Sequence, residues 1–118
     1  KSVIVVESPI SVAKAVSLGI DNVVATFGAK VSDRQVELLS RNFDQVFVWF
    51  DADPAGRAGE VRLIEHLWGA SVRVIVPQEG RDMADSQTQD DILAMVASSV
   101  PAVLRLPKRE RRGRVRRH

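Results

Sequence analysis

The sequence predicts an α/β protein built on a mostly parallel sheet. Short apolar runs rich in β-branched and aromatic residues alternate with helical segments of about ten residues, the pattern of right-handed β-α-β crossovers. The strongest run, Val-Phe-Val-Trp-Phe at residues 46–50, is typical of a strand buried on both faces. With 118 residues the chain has the size of about one domain. We therefore expect a body, residues 1–107, followed by a tail, residues 108–118.

Four main strands and four helices are expected in the body. Ser11 is a candidate N-cap for the first helix, which Gly19 ends, and Ser32 or Asp33 can cap the second. The remaining helices are predicted at residues 60–67 and 90–96. The predicted strands are residues 3–6, 23–26, 46–50 and 71–76, with residues 102–106 as a short edge strand.

The net charge of +2 conceals an asymmetry between body and tail. The last eleven residues hold seven of the seventeen Lys and Arg and one acid, which leaves ten basic and fourteen acidic residues, a net of −4, in the body. Such a basic tail either binds polyanions through phosphate contacts or is a solvated terminus. Its candidate nucleic-acid contacts are Lys108, Arg109, Arg111, Arg112 and Arg114.

Two absences from the sequence narrow the classes of protein. There is no cysteine, which excludes a disulfide framework and a thiolate zinc site. No apolar run approaches the ~18 residues of a membrane span, so no membrane partner is expected.

Carboxylates follow three of the predicted strands. Because the carboxyl ends of parallel strands share one edge of a sheet, these acids should lie near one another and repel. A bound Mg²⁺ would remove the conflict, since carboxylate oxygens are its preferred ligands. The segment Asp-Ala-Asp-Pro-Ala-Gly is also good turn chemistry, and on this motif alone both interpretations stay open. The acids are Glu7 after the first strand, Asp51 and Asp53 after the third, and Asp82 and Asp85 after the fourth.

Taken together, these elements resemble the Toprim domain. The resemblance rests on Glu7 closing the first strand, Gly28 after the second, Asp-x-Asp before Pro-Ala-Gly, and Gly-Arg-Asp-x-x-Asp at residues 80–85. It covers about residues 3–95. Toprim domains occur in bacterial-type primases, type IA and type II topoisomerases, certain nucleases and recombination mediators.

Within that family the chain is most similar to the primase branch. Residues 50–58 and 80–85 carry this similarity, whereas Glu7-Ser8-Pro9 is similar to the type IA topoisomerase form. The chain has no Tyr, so it lacks the nucleophile that a complete topoisomerase needs.

The resemblance implies a Rossmann-like Toprim fold and a catalytic set of Glu7, Asp51 and Asp53. Glu7 would be the acid or base near the reacting phosphate and a metal ligand. Asp51 and Asp53 would hold Mg²⁺, for which Mn²⁺ can substitute, and Asp82 and Asp85 would be further ligands.

The implied activity is RNA primer synthesis from nucleotides on single-stranded DNA during replication. It would take place in the cytoplasm of a bacterial or phage-infected cell, with other replication proteins or further domains of the same polypeptide. A small nuclease that cleaves phosphodiesters of DNA or RNA, and a non-catalytic nucleic-acid-binding module, are the alternatives. Further candidate phosphate contacts, each of which could instead be an ordinary solvated cation or a carboxylate partner, are Lys14, Lys30 and Arg57.

Overall fold

A computed structural model of the chain describes residues 1–26, 31–78 and 81–107. The strands are β1 (Ser2–Val6), β2 (Val23–Ala25), β3 (Gln45–Val48), β4 (Ser71–Val74) and β5 (Val100–Pro101). The helices are α1 (Pro9–Ser17), α2 (Asp33–Asn42), α3 (Pro54–His66) and α4 (Gln89–Ala97), with 3₁₀ helices at Met83–Asp85 and Ala102–Arg105.

The five strands form one sheet in the order β2-β1-β3-β4-β5. The pairs β1–β2, β1–β3 and β3–β4 are parallel, and β4–β5 is antiparallel. In the central pair Val5 lies opposite Val48. The predicted α/β fold with a mostly parallel sheet is confirmed. The C-terminal ends of the four parallel strands therefore meet at one side of the sheet, which we call the carboxyl edge.

The sheet buries apolar side chains on both faces. Along β1, Val3 and Val5 point into one core cluster, while Ile4 and Val6 point into the other, as the two-residue period of a strand requires. Helices α2 and α3 cover the first face through residues such as Leu39 and Ile64, and α1 and α4 cover the second through Ala15 and Ile92. No helix among residues 1–26, 31–78 and 81–107 is both long and apolar enough to cross a bilayer.

Helix α1 begins earlier than its predicted cap. The N-cap is Ser8, whose Oγ accepts a hydrogen bond from the backbone N–H of Ile10 at 3.2 Å, and Pro9 takes the first helical position. Ser11 is buried inside the helix, so its assignment as N-cap was wrong. The predicted end of the helix is confirmed, since Gly19 adopts a φ of +89°, the left-handed conformation in which glycine ends helices.

Helix α3 starts at Pro54, six residues before the predicted start at Glu60. Asp53 is the N-cap, and its Oδ1 accepts a hydrogen bond from the backbone N–H of Gly56 at 2.6 Å. Gly56 packs directly on the preceding turn: a Cβ built there would lie 3.0 Å from the carbonyl carbon of Asp51 and would overlap its carbonyl oxygen. The glycines of this segment lower its helix propensity, which is why periodicity alone placed the start too late.

The predicted edge strand at residues 102–106 was wrong. The edge strand is β5, in which Val100 pairs with Val74 and Pro101 with Arg73. Proline has no N–H to donate, so it is tolerated at an edge and stops the ladder there. The chain then turns into the 3₁₀ helix Ala102–Arg105, which buries Ala102 against the core.

We predict that Gly56→Ala destabilises the protein by about 2 kcal/mol, because the added methyl group must displace the backbone of the Asp51 turn. The measurement is the free energy of unfolding from denaturant titration. Ala58→Ser, at an exposed position of the same helix, is the matched control and should change stability by less than ~0.5 kcal/mol. An equally stable Gly56→Ala variant would contradict the close approach of α3 to the turn.

Candidate functional site

The carboxyl edge brings together acids that are far apart in the sequence. Glu7 directly follows β1, and Asp51 follows β3 after two buried residues, Trp49 and Phe50. One oxygen of Glu7, Oε1, accepts a hydrogen bond from the backbone N–H of Asp51 at 2.6 Å. This bond fixes the Glu7 carboxylate beside the Asp51 turn.

Asp51 and Asp53 have different local roles. Asp53 uses Oδ1 to cap α3, so the turn interpretation of the Asp-x-Asp motif is correct for this residue. Within the described part of the chain, no hydrogen-bond donor contacts the carboxylate of Asp51. That carboxylate is exposed at the edge and is available to a ligand.

Asp82 and Asp85 form a reciprocal cap on the 3₁₀ helix after β4. Asp82 Oδ1 accepts from the backbone N–H of Ala84 at 2.8 Å, and Asp85 Oδ2 accepts from the backbone N–H of Asp82 at 2.8 Å. Each carboxylate therefore uses one oxygen to shape the loop. Asp82 is half-buried and Asp85 is exposed.

Electrostatic coupling shows which of these acids are neighbours. Burial raises the pKa of Glu7; the Asp51 N–H bond opposes this, and the charges of Asp51 and Asp53 add to the increase. The pKa of Asp51 is raised by partial burial first and then by the charges of Asp82 and Asp53. Asp53 thus acts on both Glu7 and Asp51, Asp82 acts on Asp51, and Asp85 is not among the charges that affect either group.

This arrangement fits a divalent cation that is completed by a substrate. Among the described residues there is no group of three or more His, Cys, Asp or Glu side chains placed to enclose a metal ion by themselves. Mg²⁺ is usually held by one or two carboxylates together with waters and substrate phosphates. The unbonded carboxylate of Asp51 and the uncapped oxygen of Asp53 suit that mode. Burial first, and then the neighbouring negative charges, raise the pKa values of Glu7 and Asp51, and a bound cation would offset both effects.

The predicted basic contacts lie in different places. Lys14 is in the last turn of α1 and does not act on the pKa of either Glu7 or Asp51. Arg57 is in α3, where it binds Glu60 and the backbone oxygen of Arg105. The others lie outside the described residues: Lys30, Lys108, Arg109, Arg111, Arg112 and Arg114.

Sequence reasoning missed two polar residues next to the Asp51 turn. Glu60 is almost fully buried in α3, and Arg105 in the last 3₁₀ helix reaches it across 45 residues of sequence. Glu60 was counted only as the start of a helix, and Arg105 as part of an edge strand. No local sequence pattern predicts this pair. A charged residue in a segment that is buried does, however, indicate that an oppositely charged partner lies nearby.

The fold and the acidic edge define an α/β protein with a polar site at the ends of parallel strands. The chain belongs to the Toprim-like family, whose sequence profile matches residues 4–87.

Its curated relatives are primases. The chain is 32% identical over 83 residues to the DNA primase of Clostridium acetobutylicum, covering 69% of this chain and 14% of that protein. It is 37% identical over 71 residues to the DNA primase of Aquifex aeolicus, covering 60% of this chain and 14% of the relative. The predicted similarity to the primase branch is confirmed. The chain spans only about a seventh of the length of these relatives.

Solved structures agree with the fold. The Aquifex aeolicus primase (zinc-binding and RNA polymerase domains) matches with a TM-score of 0.74 and 29% identity, over 83% of this chain and 26% of that one. A DNA primase domain from Pseudomonas aeruginosa matches with a TM-score of 0.77 and 28% identity, over 87% and 35% of the two chains. The Toprim fold inferred from the sequence is thus confirmed.

We predict that Asp51→Asn stabilises the protein at pH 7 by about 0.5 kcal/mol, after allowance for solvent screening of a partly exposed group. Because folding raises the pKa of Asp51, the stability of the wild type is retained below the unfolded pKa of ~3.9 and declines as pH rises through the folded pKa. The Asp51→Asn variant has no such decline in stability, because the Asn side chain does not ionise. The gain should therefore be absent at pH 3 and appear above pH ~4, as measured by denaturant titration without divalent cations.

The control is Asp91, an acid whose pKa is lowered by folding rather than raised. Backbone N–H groups of Gln87 and Thr88 lower the pKa of Asp91, so its contribution exists above the unfolded pKa and is lost as pH falls. Asp91→Asn should accordingly destabilise the protein at pH 7. If both variants changed stability in the same direction, the raised pKa of Asp51 would not be the cause.

Proposed function

We propose that this chain is the metal-binding part of a primase-like nucleotidyltransferase, which joins ribonucleotides into a primer on single-stranded DNA. The observation that supports this most is the hydrogen bond from the Asp51 backbone to Glu7, because it holds a raised-pKa carboxylate beside the acids suited to a cation. The proposal draws on the primase names of the relatives. Since the chain spans about a seventh of their length, further domains or partners complete the enzyme.

The reaction joins a 3′ hydroxyl to a nucleoside triphosphate. The hydroxyl oxygen forms a bond to the α-phosphorus, the bond from that phosphorus to the bridging oxygen breaks, and pyrophosphate leaves. Mg²⁺, when bound, neutralises phosphate charge and orients the reacting groups for in-line attack.

Glu7 is the residue that we assign to the proton. Its Oε1 is occupied by the Asp51 N–H, which leaves Oε2 to accept the proton of the attacking hydroxyl. Burial raises the pKa of Glu7, and a base with a higher pKa is more effective near neutral pH. Asp51 and Asp53 would hold the cation, and Asp82 would add negative charge near Asp51.

Asp51 and Asp53 are tested as cation ligands by metal binding. Mn²⁺ should bind weakly to the wild type in calorimetry at high protein concentration, and Asp51→Asn/Asp53→Asn should weaken binding more than about tenfold. Asp21→Asn/Glu65→Gln removes the same charge from two exposed positions away from the carboxyl edge and should bind like the wild type. Equal binding by both double variants would reduce Asp51 and Asp53 to turn residues and overturn the proposal.

The type of reaction is tested with a labelled single strand, incubated with Mn²⁺ in the presence and absence of ribonucleotides. Extension that requires Glu7 supports the primase-like proposal. Shortening of the strand would favour the nuclease alternative, and identical behaviour of Glu7→Gln and wild type in every assay would favour a non-catalytic binding module.

We also propose that residues 108–118 bind the nucleic-acid backbone. The tail contains seven Lys and Arg. If each contacts one phosphate of a single strand, the slope of log K against log[salt] should be steeper by about 5 than without the tail. Removing residues 108–118 should lower the slope by that amount in a fluorescence-anisotropy salt titration. An unchanged slope would mean that the tail is only a solvated terminus.

A further inference from the structure

A buried ion cluster lies beside the Asp51 turn, on α3. Glu60 is 1% exposed, yet it is a carboxylate. Arg57 contacts Glu60 Oε2 from one turn earlier in the helix, and Arg105 contacts both oxygens, with Nε to Oε2 at 3.2 Å and Nη2 to Oε1 at 3.4 Å. We call Arg57, Glu60 and Arg105 the arginine cluster.

The charges of the arginine cluster do not cancel. One carboxylate is sufficient to pair with one guanidinium. Here two guanidinium groups share the carboxylate of Glu60, so the cluster has a net charge of +1. A buried acid needs a partner because desolvating an unpaired charge is costly, but that need is met by the first arginine. The second guanidinium therefore has no carboxylate partner of its own within salt-bridge distance in the described part of the chain.

Both arginines remain partly open to solvent. The side chain of Arg57 is 41% exposed and that of Arg105 is 26% exposed, whereas that of Glu60 is 2% exposed. Arg57 also donates to the backbone oxygen of Arg105, so the two side chains and the 3₁₀ segment are held together. The carboxylate thus orients the guanidinium groups from beneath and leaves their outer sides accessible.

The arginine cluster and the acidic turn line the same cavity. This cavity, of about 400 Å³, has Asp51 and Asp53 in one part of its wall and Arg57, Glu60 and Arg105 in another. Neither Glu7 nor Asp82 lines it. The cavity therefore extends from the Asp51 turn to the arginines, on a side of the turn that the reacting carboxylates do not reach.

A polyphosphate matches this combination of charges. Its oxygens can bind a cation held by Asp51 and Asp53, while other oxygens accept hydrogen bonds from guanidinium groups, whose planar fork suits phosphate. A neutral ligand would leave the excess positive charge unpaired, and a peptide carboxylate would not bind a cation and two arginines at once as readily.

We propose that Arg57 and Arg105 form the subsite for the β- and γ-phosphates of the nucleoside triphosphate, the part that departs as pyrophosphate. This inference rests on the proposed function, because it places the departing phosphates next to the proposed cation. Glu60 is a positioning residue that holds both arginines without touching the substrate. The segment after β5 thereby supplies a substrate contact to a site otherwise built at the ends of β1, β3 and β4.

The test is binding of tripolyphosphate and of pyrophosphate by calorimetry, with Mn²⁺ and separately in EDTA. Arg57→Gln and Arg105→Gln should each weaken tripolyphosphate binding about tenfold or more, because each removes charge-assisted hydrogen bonds. Arg62→Gln is the matched control: the same charge change at an exposed position of the same helix, with binding expected within twofold of wild type. Unaltered binding in both cluster variants, with only a lower melting temperature, would overturn the proposal and leave a structural ion pair.

Glu60→Gln provides a second route if an arginine variant does not fold. It raises the net charge of the cluster from +1 to +2 and keeps an acceptor for the arginines. Tripolyphosphate should therefore still raise the melting temperature of Glu60→Gln. A variant that tripolyphosphate does not stabilise at all would contradict a phosphate subsite.

Two further comparisons separate the possible sources of phosphate and the two proposals. A single-stranded oligonucleotide with 5′ hydroxyl should not compete for the Arg105-dependent site, and competition would assign the arginines to the nucleic-acid backbone instead. Arg105→Gln should keep Mn²⁺ binding, and Asp51→Asn/Asp53→Asn should keep metal-free tripolyphosphate binding. Loss of Mn²⁺ binding alone in the Asp variant would thus support the cation site whatever the fate of the arginine subsite.

Discussion

The hydrogen bond between the Asp51 backbone and the Glu7 side chain is the interaction on which the carboxyl edge depends. The backbone ladder between β1 and β3 continues to Trp49, whose N–H donates to the carbonyl of Val5 at 2.9 Å. Two residues later the donor is the N–H of Asp51, and the acceptor is a side chain at 2.6 Å. Glu7 thus extends the strand pairing beyond the last backbone contact, and its position is set by the sheet rather than by a flexible loop.

The acids around this bond combine turn chemistry with ligand chemistry. Asp53, Asp82 and Asp85 each use one oxygen to accept a backbone N–H at the start of a helix. A carboxylate has two oxygens and about four acceptor sites, so capping leaves capacity for a cation. The two interpretations of the Asp-x-Asp motif are therefore compatible, and capping makes the acids rigid before any ligand arrives. The cost is partial burial and, after it, mutual repulsion, which together raise the pKa values of Glu7 and Asp51.

Much of the fold and the acidic edge could be predicted because both follow from simple periodicities. Parallel strands bring their carboxyl ends together whatever the loops do, so acids that follow strands must meet there. The starts of helices α1 and α3 were harder to predict, because neighbouring residues give competing signals for where a helix begins. Ser11 was predicted as the cap of α1, whereas the cap is Ser8, and Pro9 in the first helical position is the local signal that marks this earlier start. The glycines at positions 56 and 59 concealed the first six residues of α3, which precede the segment with clear helical periodicity.

The contact between Glu60 and Arg105 could not be predicted from local sequence patterns, since it joins α3 to a segment 45 residues away. Its consequence for the site is a division of charge across the Asp51 turn. Glu7 and Asp82 add negative charge near Asp51 but lie outside the cavity, whereas the arginine cluster adds positive charge within it. Asp51 acts on both sides, because it is coupled to Asp82 and also lines the cavity of the arginines. Under the proposed function, this arrangement would favour one orientation of a triphosphate, with the α-phosphorus towards Glu7 and the β- and γ-phosphates towards Arg57 and Arg105. The turn proposed to hold the cation would then also set the direction of attack.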